Sequence, residues 1–249
     1  MAEDLTFRAL VLRETATGES DKLLTLLAEN MGKITVSCRG VRSIKSHRLA
    51  TTQLFCFNEF TVTVKKDRYY LKEASLIENF YAIRENIEKL ALAQYVSELT
   101  EEVCVEGEEA NEILALALNT LFMLSESSRS IYHIKSCFEL RLCCLIGFMP
   151  DLSVCRSCQG EEQLYFDIAE GTLICSQCAL DGDAKNVCFL EKGTLDAMRY
   201  LTSAPSKRIF SFIIDEALYP SLSQVCENYL IYRLEKKFET LSFFHSLGL

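Results

Sequence analysis

Cys155-Arg156-Ser157-Cys158 is followed, after residues 159–174, by Cys175-Ser176-Gln177-Cys178, and this spacing matches a paired C-x-x-C zinc pattern. Each short turn aims two thiolates at one point, and the intervening segment is long enough to run out and return, so four sulfurs can complete a tetrahedral site. Four protein ligands leave no open position for water or substrate, which makes the predicted role structural. Gln159-Gly160 after Cys158 and Ala179-Leu180-Asp181-Gly182 after Cys178 are small or turn-forming. The stretch Gln163–Ile174 reads as strand, turn, strand with Gly171 near the bend. Together these predict a zinc ribbon holding one ion. The competing reading is four unrelated cysteines in a chain that has 12. A thioredoxin-like motif fits less well, since it needs a single C-x-x-C opening a helix after a strand.

The other cysteines, Cys38, Cys56, Cys104, Cys137, Cys143, Cys144, Cys188 and Cys226, lie among apolar residues, as buried free thiols do. The opening Met1-Ala-Glu-Asp-Leu-Thr-Phe7 is acidic and lacks an apolar core, so no secretory signal is expected. A reducing, cytoplasmic setting without disulfides follows as an expectation. The apolar runs Leu142–Met149 and Ile113–Leu124 are too short to span a bilayer and predict buried helices instead. At 249 residues and 49% apolar composition, the chain can build one large domain or two to three small ones.

A net charge of −9 argues by itself against a simple nucleic-acid binder. The average conceals a division. Residues 1–80 hold 12 Lys and Arg against 10 Asp and Glu, a balance of +2, and residues 81–249 hold 14 against 25, a balance of −11. Between Glu29 and Glu59 there is no carboxylate, and the cations Lys33, Arg39, Arg42, Lys45 and Arg48 stand there with His47. A basic segment in an acidic chain is a candidate polyanion site. Lys65, Lys66 and Arg68 form a second cluster at an expected hairpin tip, with Tyr69 and Tyr70 beside it as candidate stacking platforms. The plainer alternative is two solvated loops, with one tyrosine ring in a core and the other outside.

The pattern changes near residue 80. Before it, β-rich runs recur at Thr6–Leu12, Lys33–Ser37, Phe55–Val64 and Tyr69–Ala74, with clear period-2 alternation in Phe60-Thr-Val-Thr-Val-Lys65. Leu23–Ala28 is ambiguous between helix and strand; as a strand, it makes the fifth element of a small barrel such as an OB-fold. After residue 80, Leu92, Val96, Leu99 and Val103, then Ile134, Phe138, Leu142 and Leu145, then Leu230, Leu234, Phe238 and Leu241 keep helical spacing. The expected fold is α+β: a five-stranded barrel over 1–80, then a helical domain over 81–249 with a zinc ribbon over 150–182 inserted. Metal binding would fasten that excursion, since it supplies roughly 10–16 kcal/mol of folding free energy in small zinc peptides. The carboxylates Glu98, Glu101, Glu102, Glu106, Glu108, Glu109 and Glu112 read first as a solvated face.

Several stretches carry a resemblance over nearly the whole length. Ala9-Leu-Val-Leu-Arg13, Gly18-Glu-Ser-Asp21, Leu23–Leu27 and Gly32-Lys33 are followed by the basic loop Gly40-Val-Arg-Ser-Ile-Lys-Ser46. Phe138-Glu-Leu-Arg-Leu142 and Gly147-Phe-Met-Pro-Asp-Leu152 then lead into Cys155, and Glu170-Gly171 precedes Cys175. In these features the chain resembles the RecO family of bacterial recombination and repair proteins.

That resemblance implies an N-terminal OB-fold, a helical domain and a zinc ribbon set into it. It further implies binding of single- and double-stranded DNA, annealing of complementary strands, and action with RecR to load RecA onto strands coated by single-strand-binding protein. No covalent bond is made or broken in such work, and no enzyme motif is evident: His47, His133 and His245 are dispersed, and no Walker loop or H-E-x-x-H occurs. Lys33, Arg39, Arg42, Lys45, Arg48, Lys65, Lys66 and Arg68 are the expected DNA contacts. The acidic, apolar-ended tail of single-strand-binding protein would need a basic rim by an apolar pocket, for which Lys207 and Arg208, or Lys236 and Lys237 beside Phe238, are candidates. A zinc-ribbon interaction module without DNA affinity and a thiol oxidoreductase remain as other function classes.

Overall fold

The computed structural model describes residues 3–43, 46, 48–182 and 186–248. Strands β1 (Glu3–Thr17), β2 (Asp21–Ala28), β3 (Gly32–Cys38), β4 (Phe57–Lys65) and β5 (Arg68–Glu78) close into a barrel in the order β1-β2-β3-β5-β4. The long β1 serves two neighbours. Glu3–Leu10 pair with β4 and Ala9–Thr17 with β2, and an irregularity between Val11 and Arg13 lets the strand bend between them. Parallel pairing of Val36 with Tyr69 and Ser37 with Tyr70 closes the wall.

Alternation decides the interior. Phe7, Ala9, Val11, Leu24, Leu26, Val36, Phe60 and Val62 share one core, with Phe7 opposite Phe60 in register and their rings 6.2 Å apart. Leu10, Leu12 and Leu27 point the other way yet are also buried, because two helices cover that part of the outer wall. These are α1 (Ile87–Val103), which packs on β1, and α2 (Asn111–Glu126), which packs on β2. Asn86 caps α1, its side chain accepting from the amides of Glu88 and Lys89 at 2.9 and 3.0 Å.

The turn between β2 and β3 is pressed against the α1–α2 connection. Gly32 has φ +69°, and a Cβ there would lie 1.8 Å from the Glu108 carbonyl oxygen, so only glycine fits. Asn30 and Asn111 exchange hydrogen bonds of 2.8 and 2.7 Å across the same contact.

Beyond α2 the chain builds α3 (Ile131–Leu145), β6 (Asp151–Cys155), β7 (Leu164–Asp167), β8 (Thr172–Cys175), α4 (Ser176–Asp181), β9 (Val187–Phe189), α5 (Lys192–Ser203) and α6 (Tyr219–Leu234), then ends in α7 (Glu239–Ser246). Met1–Ser127 with Phe238–Leu249 form one compact unit, and Ser128–Lys237 form the other. In the first unit α7 returns to α1, where Phe238 packs edge-on to Tyr95 at 6.0 Å. In the second, α3 and α6 form the main helix pair, joined by a buried ion cluster in which Lys135 Nζ lies 2.8 Å from Glu139 and 2.7 Å from Glu227.

The cysteine segment is a four-stranded sheet in the order β6-β8-β7-β9, with β6 parallel to β8 and the other pairs antiparallel. Its bend at Gly171 (φ +70°) touches α6 closely, since a Cβ there would sit 2.6 Å from the Tyr229 hydroxyl and 2.8 Å from the Arg233 guanidinium.

One expected helix is two. The apolar spacing Leu230, Leu234, Phe238, Leu241 is interrupted at Glu235, which takes φ 50° and closes α6, so Phe238 opens a separate helix in the other unit. Among the described residues no helix is long and apolar enough to cross a membrane.

Candidate metal centre and nucleic-acid interface

Cys155 ends β6, Cys158 stands in the following turn, Cys175 ends β8, and Cys178 lies in α4. The first turn folds back because Gln159 adopts φ 60°, which lets its amide donate to the Cys155 carbonyl at 2.9 Å and the Cys155 amide donate to the Gly160 carbonyl at 2.9 Å. The second turn differs in kind: Cys175 caps a short helix, and its sulfur accepts from the Cys178 amide at 3.5 Å. Arg156 braces the first turn through Asp167 at 2.9 Å.

The four sulfurs lie within 4.8 Å of one another, and Cys158 Sγ is 3.6 Å from Cys175 Sγ. A tetrahedron with metal–sulfur bonds of about 2.3 Å has edges of about 3.8 Å, so the cluster has the size of an S4 metal site. It is too open for a disulfide, whose sulfurs lie about 2.05 Å apart.

Protonation points the same way. Burial would raise the Cys155 thiol, but amide donors at Cys158, Cys175 and Ser157 and the Cys158 thiol outweigh it and draw it down to about 6. Cys178 is pushed up to about 12, chiefly by hydrogen bonding to Cys175 and Cys158. Four thiolates cannot share this space without a cation, and a divalent ion of thiophilic character resolves that conflict. The cysteine set can therefore hold a metal ion. The other eight thiols are all raised by burial, which keeps them unreactive.

On the barrel, the expected cations take different positions. Arg39 and Arg42 are exposed beyond the end of β3; Arg42 donates to the Gly18 carbonyl at 3.2 Å, and the Arg39 guanidinium lies 5.5 Å from the Tyr70 ring centre. Lys65, Lys66 and Arg68 are exposed at the β4–β5 turn. Lys66 and Asp67 have φ 47° and 59°, as a two-residue hairpin turn of type I′ requires. Lys45, like His47, lies outside the described residues.

Besides Arg42, two more of the expected contacts are engaged by main-chain carbonyls. Lys33 Nζ donates to the Glu101 carbonyl at 2.7 Å, at the end of α1. Arg48 donates to the Leu71 and Arg39 carbonyls at 3.5 and 3.4 Å, which ties its loop to β5. Charge counting could not separate these from Arg39, because main-chain acceptors carry no sequence signal.

Lys72 was missed. Its only signal is alternation, which puts residues 68, 70 and 72 on one face of β5; Tyr70 faces outward there, while Tyr69 packs toward the core. Of the acidic run, Glu101 pairs with Arg13 at 2.7 Å, and Glu98 accepts from the Thr240 hydroxyl. Phe238 is 2% exposed, so it cannot line an open pocket beside Lys236 and Lys237.

A five-stranded barrel followed by helices, with a four-cysteine cluster of metal-binding size, defines an α+β protein with one site that could hold a metal ion. Two family profiles match the chain: Recombination protein O N terminal over residues 1–80 and Recombination protein O C terminal over residues 84–242. It is 35% identical to the DNA repair protein RecO of Acetivibrio thermocellus over 96% of this chain and 95% of that one. It is 30% identical to that of Alkaliphilus metalliredigens over 91% and 92%, and 29% identical to that of Pelotomaculum thermopropionicum over 96% and 93%. The chain belongs to the RecO family of DNA repair proteins.

Proposed function

We propose that this chain is a recombination mediator that binds single- and double-stranded DNA, anneals complementary strands and, with RecR, helps load RecA onto DNA coated by single-strand-binding protein. The supporting observation is the exposed cationic outer face of the barrel, where Arg39, Arg42, Lys65, Lys66 and Arg68 are free of ion pairs among the described residues. The strand order of the barrel is that of an OB-fold, and residues 1–80 act as the DNA-binding domain. Lys33, Lys45 and Arg48 are the further cations of this reading.

Residues 81–249 form the helical domain, and the ribbon over 150–182 holds one zinc ion through Cys155, Cys158, Cys175 and Cys178. When bound, the ion supplies folding free energy rather than chemistry. Arg156 and the amides of both turns hold the sulfurs in place. The mediator acts without catalysis, in the cytoplasm at the nucleoid.

Annealing follows from the nature of the contact. A protein that grips mainly phosphates leaves base edges free to test pairing, and neutralising the backbones lowers repulsion between strands. If four or five phosphates are neutralised, log affinity for single strands falls with log salt at about −0.7 per phosphate, a slope near −3. Replacing Arg39, Arg42 and Lys65 by Ala flattens that slope and slows annealing of complementary oligonucleotides. The net charge of −9 favours a second reading, a protein-interaction module without DNA affinity. Absence of any mobility shift at low salt would select it.

A further inference from the structure

The outer face of the barrel sets one aromatic ring at the middle of a row crossing three strands. Tyr70 is paired with Ser37 of β3 on one side and Thr63 of β4 on the other. With Arg39 stacked over it at 5.5 Å, it forms a ridge, because both residues line each of two adjoining grooves.

The grooves differ in chemistry. The first, about 450 Å³, offers the apolar surfaces of Leu23 and Tyr69 and mixes Asp67 and Glu106 with Arg39 and Arg68. The second, about 320 Å³, is lined by Arg39, Lys65 and Lys72 and by no carboxylate. Among the described residues Lys72 is held there by an exposed pair with Asp4, which exchanges readily with another anion. A phosphate gains more from the second groove, where three cations line the wall, than from the first, where Asp67 and Glu106 offset Arg39 and Arg68. A nucleobase is neutral and flat, and its N–H groups, such as the N3–H of thymine, can donate to carboxylates.

We propose that the Arg39–Tyr70 ridge is a subsite for one unpaired nucleobase, which stacks on Tyr70 from the first groove while its sugar-phosphate chain runs through the second. This rests on the reading of the barrel as a nucleic-acid binder and adds to it a means of telling strands apart. Bases in a duplex are already stacked and paired, so they cannot reach the ring, and the ridge contributes to single-strand binding alone. Phosphate contacts serve both forms.

The test uses the full chain and three fluorescent probes of equal length: oligo-dT, an abasic oligonucleotide with the same phosphates, and a duplex. Tyr70→Ala lowers affinity for oligo-dT about 10-fold, within the range of one lost base stack, and leaves the salt slope and the other two affinities unchanged. Tyr70→Trp keeps the ring face and retains oligo-dT binding, which separates stacking from folding. Arg39→Ala weakens all three probes and flattens the slope. Equal weakening of oligo-dT and abasic binding by Tyr70→Ala, or no weakening of either, overturns the ridge while leaving the barrel reading intact. Failure of the wild-type chain to bind any probe overturns both.

Discussion

His133 sits at the start of α3 with its ring 4.4 Å from that of Phe212 and 5.2 Å from that of Tyr219, and neither ring nitrogen has a hydrogen-bond partner among the described residues. Burial, aided by the positive charge of Arg129, lowers its pKa to about 4. An unfolded chain takes up the proton near 6.5, so below that pH the unfolded state binds a proton that the folded state refuses. Stability is therefore full at neutral pH, falls by about 3 kcal/mol in all as pH drops from about 6.5 to 4, and levels off below. Denaturant melts at a series of pH values should show this slope, and His133→Phe should remove it. An unchanged slope in the variant would assign the acid sensitivity elsewhere. The cysteines make a different test of single residues. Cys158→Ser leaves three thiolates and a weak fourth donor, so bound metal should fall from about one ion per chain toward none and the melting temperature should fall with it. Full metal content in the variant would mean that these four sulfurs are not the ligand set.

The pairing of α3 with α6 contains the most demanding polar feature of the fold. Lys135 is 1% exposed and Glu139 0%, and Glu227 and Ser223 of α6 complete the cluster. Burial opposes the charge on Lys135, but Glu139 and Glu227 prevail and hold its pKa above the ordinary lysine value. Lys135→Ala strands two carboxylates and should cost about 3–5 kcal/mol. Replacing Lys135, Glu139 and Glu227 together by Met and Leu should recover most of that loss, and calorimetry of both variants decides; a triple variant as unstable as the single one would mean that packing volume, not charge, is at issue. At this same scale the sequence is read unevenly. Phe60–Lys65 alternates because only one face of β4 is fully buried, and the cysteine spacing is visible because ligands must return to one point. Leu23–Ala28 is ambiguous because both its faces are covered, Leu24 and Leu26 by the barrel core and Leu27 on the outer side. The Leu230–Leu241 spacing misleads because a left-handed residue at Glu235 leaves no mark on apolar periodicity. Strand β9, of three residues, is too short to show an alternation at all.

At the scale of the whole molecule, opposite charge balances occupy different parts of the chain, +2 over residues 1–80 and −11 over residues 81–249. On the proposed reading, an acidic chain cannot draw DNA from afar, so attraction would act within a Debye length of about 8 Å at physiological salt, at the barrel's exposed cations. The unit that carries those cations is assembled from both ends of the chain. Phe238, Leu241 and Phe244 of the C-terminal segment are buried, and α7 packs on α1, the helix that covers β1. Removing residues 238–249 takes away these three side chains, each worth about 1.5–3 kcal/mol when buried, against a total stability of about 5–15 kcal/mol for a typical domain. The truncated chain should lose amide protection in β1–β5 and with it the proposed DNA binding, while keeping the proposed metal and the protection of α3 and α6. Hydrogen exchange read by mass spectrometry resolves the two units in one experiment. Should the barrel strands stay protected while 128–237 opens, the C-terminal helix belongs energetically to the other unit, and the contacts of Phe238 with Tyr95 and of Thr240 with Glu98 contribute little.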